Sequence, residues 1–96
     1  MGKRKRKEHL NKNLKKILSE VSSQLSVSVQ TWPGHHSAHE SFAILAEEVD
    51  ELWDHVKTKQ AKRKLLEMRK EAIQVAAAAM RFALDCCEYE GSGYGK

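Results

Sequence analysis

Two clusters of oxygen-bearing side chains could do chemistry in this chain. The first is the acidic run Glu47-Glu48-Val49-Asp50-Glu51-Leu52-Trp53-Asp54. On a helix at about 100° per residue, Glu47 and Asp54 lie almost opposite the apolar stripe. Glu48 lies at the edge of that stripe, and Glu51 is the next residue round on the same side. They form an i,i+3 pair at the border of the buried face. The second cluster is Glu71 with Gln74, another i,i+3 pair. Glu67, Glu71 and Gln74 lie along one side of their helix, with Asp85 too far up to join them within one subunit. If the two helices form a hairpin, three carboxylates and one amide oxygen converge. Like charges packed near a core are unfavourable, and a bound cation removes that penalty. Magnesium wants oxygen ligands and keeps several waters; held this way it can clamp phosphate oxygens and activate a water. The competing reading is an acid-rich helix face that is simply solvated.

The elements that must position these groups are all helical. Leu10, Leu14, Ile17, Leu18, Val21 and Leu25 recur at helical spacing and predict a first helix over about residues 8–25. Residues 1–7 read as a disordered basic arm, and Ser26 to Val29 as frayed helix or extended chain. Pro33-Gly34 is a break. Ser37-Ala38-His39-Glu40 fits a capping box with Ser37 as N-cap, and opens a second helix to about Thr58. Its stripe is Phe42, Leu45, Val49, Leu52, Trp53 and Val56. A third, alanine-rich helix is expected over about 61–88, and residues 91–96 read as a flexible tail. The short connection between helices two and three favours an antiparallel hairpin. The expected fold class is therefore all-α, a hairpin plus an N-terminal helix, in one domain over about residues 8–90. A chain of 96 residues buries a modest core by itself, so a four-helix-bundle-like core formed on oligomerisation is expected.

Charge is segregated along the chain. Residues 1–16 carry +7, residues 17–56 carry −7 and residues 57–96 carry +4. The acidic middle segment is where chemistry is expected. The longest apolar run, Val75 to Met80, is too short to span a bilayer, and no apolar region follows the basic start. These features point to the cytoplasm. Cys86 and Cys87 are adjacent and make neither a zinc site nor a disulfide framework. Neither a P-loop, a G-x-G-x-x-G nor a G-x-S-x-G elbow occurs, so phosphate handling would be metal-led.

Glu47-Glu48-x-x-Glu51 followed by Glu71-x-x-Gln74 resembles the E-E-x-x-E … E-x-x-D signature of the MazG-like, all-α nucleotide pyrophosphatases. The resemblance covers about residues 37–87. It includes His39-Glu40, the stretch Ala46 to Trp53 and the stretch Glu71 to Ala77. It implies magnesium-dependent hydrolysis of nucleoside triphosphates between the α and β phosphates, giving a monophosphate and pyrophosphate. Manganese is an expected substitute for magnesium. A homodimer or homotetramer is implied. Carried over by position, Glu48, Glu51 and Glu71 are the metal ligands, Gln74 is a weak fourth contact, and Glu47 with Glu48 serves catalysis. The chain departs from the signature at Gln74, where the family has Asp; an amide offers one neutral oxygen and weakens metal affinity.

For the rest of the substrate, Arg81 and Lys70 are the candidate phosphate contacts on helix three, with a snorkelling side chain as the alternative for Arg81. Trp32 and Trp53 could stack on a base, although Trp53 also suits core or dimer packing. His39 is a candidate through the resemblance alone. Two other function classes compete. The basic residues Lys3 to Lys7 could contact nucleic-acid phosphates, but no aromatic residues interleave with them and the acidic middle segment would repel nucleic acid. A purely structural helical protein would suit the long stripe of helix one, but gains nothing from acids beside the stripe of helix two unless basic residues on the partner meet them.

Overall fold

A computed structural model of the chain describes residues 2–34 and 37–88. These residues form three α-helices: α1 (Gly2–Thr31), α2 (Ala38–Val56) and α3 (Leu65–Ala83). The chain is all-α, with no strand among the described residues. The expected tail at 91–96 lies outside them.

α1 is longer than its apolar stripe suggests. It begins at Gly2, so the basic run that reads as a disordered arm continues the helix. Residues 26–29 are helical as well. Lys and Arg are good helix formers, and nothing between Lys3 and Thr31 breaks a helix. Pro33 does: it disfavours helical geometry at the residue before it, and α1 closes with the Trp32 amide donating to the Ser28 carbonyl at 2.9 Å.

α2 starts where the capping box places it. Ser37 is extended (φ −155, ψ 161) and its Oγ accepts from the Glu40 amide at 3.1 Å. The helix ends at Val56. Arg63 ties off its exposed carbonyls, donating through Nε to Thr58 at 3.2 Å and through Nη2 to Val56 at 2.6 Å. Sequence periodicity placed the third helix from about residue 61. Instead a 3₁₀ turn (Gln60–Lys62) comes first, and Arg63 and Lys64 are extended before α3 begins. Residues Leu84–Glu88 widen into a π turn after α3.

α2 and α3 form the hairpin. α1 packs on α3 and runs in the same direction, because its side chains meet α3 in rising order: Glu20 with Arg69, Gln24 with Gln74, Ser28 with Arg81. The core of this contact is Val21, Ile73 and Ala77, with Ala76 beside it. At 1.5 Å per residue, the register leaves roughly 20 Å of α1 projecting beyond the start of α3. Residues 5–19 are exposed throughout. No described helix is long and apolar enough to cross a membrane.

Candidate metal centre and the groove beside it

The hairpin brings the sequence-predicted carboxylates together. Glu48, Glu51 and Glu71 each place a carboxylate oxygen so that all three lie within 4.8 Å of one another. Glu48 and Glu71 are half-buried and Glu51 is exposed. Glu71 Oε2 is buried and has no hydrogen-bond partner among the described residues. An unpartnered buried carboxylate oxygen is costly, and here it faces two further carboxylates instead of a donor.

The electrostatics follow from that crowding. Burial, then Glu51, Glu71 and Glu47, hold the Glu48 carboxyl above the usual glutamate range. Glu51 is raised first by the charge of Glu71, then by desolvation, with Asp54 adding a smaller share. The donor set is three carboxylates, whose hard oxygens suit a hard cation and not a soft metal.

A pH dependence comes with this arrangement. Glu48 and Glu51 have folded-state pKa values above their unfolded ones, so their contribution to stability is fully present below the unfolded value and is lost as pH rises through the folded value. Glu20 opposes this, since the Arg69 hydrogen bond and charge lower its pKa; that contribution is lost as pH falls. Comparing wild type with Glu48→Gln isolates the cluster. In metal-free protein the melting temperature of wild type should fall relative to the variant as pH rises through the glutamate range. A constant difference would mean the carboxylates do not interact.

Beside the cluster lies a groove of about 480 Å³, floored by α3 and walled by α1 and α2. Glu48 and Gln74 line it next to the carboxylates; Trp32, Pro33 and Ile44 give it an apolar wall, and Arg81 also lines it. Its apolar walls with a few polar groups resemble an ordinary small-molecule cleft. Gln74 donates its amide to Gln24 Oε1 of α1 at 2.9 Å. That contact joins residues fifty positions apart, and no local pattern in the sequence signals it.

The candidate substrate contacts divide. Arg81 reaches the groove wall, but its guanidinium is engaged. Nε donates to Asp85 at 2.7 Å, Nη1 to Ser28 Oγ at 2.9 Å, and Nη2 to the carbonyls of Trp32 at 3.1 Å and Pro33 at 2.9 Å. Three of these four bonds hold the end of α1 in place, and the fourth joins Asp85 on the following turn. The side chain is buried, 3% exposed, which also sets aside the snorkelling alternative. Lys70 is exposed beside Glu67, at 3.9 Å, and His39 is exposed; neither lines the groove. Trp53 stands on a different face of α2, 57% exposed, also outside the groove. Glu47 is exposed and acts on the cluster through its charge on Glu48. Trp32 lines the groove although it is 65% exposed. Its neighbour Pro33 is the one sequence signal that fixes it there, by ending α1 at that point.

In comparisons with known proteins, the chain matches no family model, no curated protein and no solved structure.

Proposed function

We propose that this chain is a magnesium-dependent nucleoside triphosphate pyrophosphohydrolase of the MazG-like kind. It would cleave between the α and β phosphates to give a monophosphate and pyrophosphate. The observation that carries the reading is the meeting of Glu48, Glu51 and Glu71 across the hairpin, with an unpartnered buried oxygen on Glu71, at the edge of a groove of nucleoside size.

Magnesium bound there would neutralise phosphate oxygens and lower the pKa of a coordinated water. Glu48, Glu51 and Glu71 would hold it, with the Gln74 oxygen as a weak fourth contact. Glu48, with the neighbouring Glu47, would accept the proton of the attacking water. The groove between α1 and α2 would take the nucleoside, with the indole of Trp32 as a stacking surface. Among the described residues the groove lining holds one basic residue, Arg81, and its donors are largely engaged, so neutralisation of the phosphates would fall chiefly to the metal. Self-association as a homodimer or homotetramer belongs to the same reading.

Calorimetry with a nucleoside triphosphate whose α–β bridge is a methylene group tests this reading. Binding that requires magnesium and is lost in Glu51→Gln supports it. Binding that is indifferent to magnesium contradicts it. Gln74→Asp gives a finer expectation. It restores the fourth carboxylate of the signature, and Gln24 can turn its amide to donate to it. Magnesium affinity should rise by about tenfold; a fall would show that Gln74 does not face the metal.

A further inference from the structure

The half of α1 that projects beyond the hairpin is a charged rod. Residues 5–19 are exposed throughout and hold six lysines or arginines against one acid, Glu8. At about 100° per residue, Lys5, His9, Lys12 and Lys16 fall in one row about 16 Å long, on the far side of the helix from Leu10, Leu14 and Ile17. Arg6, Lys7 and Lys15 lie outside that row, on three further sides, so positive charge surrounds the rod. None of these cations forms an ion pair with a described residue; Lys16 acts on Glu20 through charge alone. The arrangement works against the helix. Like charges four residues apart, as at Lys12 and Lys16, destabilise it. Cations near a helix N-terminus oppose the macrodipole, and the first turn of α1 has no acid to offset them. A bound polyanion reverses both effects.

The partner must offer anions on more than one side of a helix. The major groove of B-form DNA does so: it is about 12 Å wide, admits an α-helix, and has phosphates along both edges. The major groove of A-form RNA is too narrow for side chains to read. Single strands are held by stacking on aromatic side chains, and α1 has no Phe, Trp or Tyr. A lipid surface meets one side of a helix only. The acidic segment stands far enough back. Gln74 meets Gln24 and Arg69 meets Glu20, so the carboxylate cluster lies near the level of Val21. Along the axis that is about 24 Å from Lys5 and about 14 Å from Lys12, beyond the Debye length of about 8 Å at physiological ionic strength. Asp54, nearer the rod, is paired with Lys57 at 3.0 Å.

We infer that the projecting half of α1 is a binding surface for duplex DNA, held through the phosphates. The inference does not depend on what the carboxylates catalyse.

Fluorescence anisotropy of a labelled DNA duplex with the full chain, at low salt and over a salt series, tests it. Two variants lose the same charge from different places. One carries Lys5→Gln, Lys12→Gln and Lys16→Gln on the row; the other carries Lys59→Gln, Lys62→Gln and Lys64→Gln at the exposed turn before α3. Gln sustains a helix about as well as Lys, so the row variant should fold. It should bind at least about tenfold more weakly, and the slope of log affinity against log salt should fall by about two to three. The turn variant should keep the wild-type affinity and slope. A wild-type chain that does not bind the duplex, or an equal loss in both variants, overturns the inference. Equal affinity for single-stranded DNA or duplex RNA overturns the choice of duplex DNA. Binding to vesicles containing phosphatidylserine but not to DNA would overturn it in favour of a lipid surface.

Discussion

Glu71→Gln should lose magnesium-dependent turnover by about 100-fold or more while the protein stays folded. Glu71 holds the most constrained oxygen of the cluster: Oε2 is buried and finds no donor among the described residues. The amide of glutamine is nearly isosteric but neutral, and it places either a weaker oxygen or an NH₂ group where the metal needs a carboxylate. Glu48→Gln should act in the same direction, since it removes both a ligand and the proposed proton acceptor. The structural control has the opposite sign to an ordinary core lesion. Without metal, either substitution removes one of three mutually repelling charges, so the melting temperature should hold or rise. With magnesium at about 100 times its dissociation constant, wild type should gain about 2.7 kcal/mol, and the variants should gain much less. A variant that keeps full turnover would remove that carboxylate from the metal assignment.

Arg81→Ala should be the most damaging single substitution to the fold. Its guanidinium joins α3 to Ser28, to the last carbonyls around the end of α1, and to Asp85 on the next turn. The Arg81–Asp85 pair is largely buried, with 4% and 17% of the two side chains exposed. Truncating one partner of a buried ion pair costs about 3–5 kcal/mol, against a total of about 5–15 kcal/mol for a typical domain. Urea titration should show a large fall in midpoint, and the Trp32 environment should change first because the end of α1 is released. Arg81→Lys should recover little, since one ammonium group cannot span Asp85, Ser28 and two carbonyls. A loss under about 1 kcal/mol for Arg81→Ala would contradict this account of how α1 is held.

What the sequence shows directly is local. Ser37 announces the start of α2 because a cap is a contact over three residues, and the structure has that hydrogen bond. Glu48, Glu51 and Glu71 could be grouped because helical periodicity fixes which residues share a side, and a short connection fixes how two helices fold back. Arg81 shows where such reading stops. An isolated arginine on an apolar stretch looks available for phosphate, but three of its four bonds depend on α1 and α3 running parallel, and no helical wheel contains that fact; only the i,i+4 pair with Asp85 is local. Gln24 was invisible for the same reason: it meets Gln74 only once α1 is docked. Trp53 lies on the apolar side of α2 as expected, yet that side is open in the single chain, because a wheel tells which face is apolar and not what covers it. α1 outran its stripe because Lys and Arg sustain a helix without any apolar contact.

Pyrophosphate release from a panel of ribo- and deoxyribonucleoside triphosphates, with and without magnesium, bears most directly on the central claim. The account predicts pyrophosphate and the matching monophosphate from at least one nucleotide, only when magnesium or manganese is present. Release of orthophosphate in place of pyrophosphate, equal release without a divalent ion, or no release from any nucleotide would contradict it.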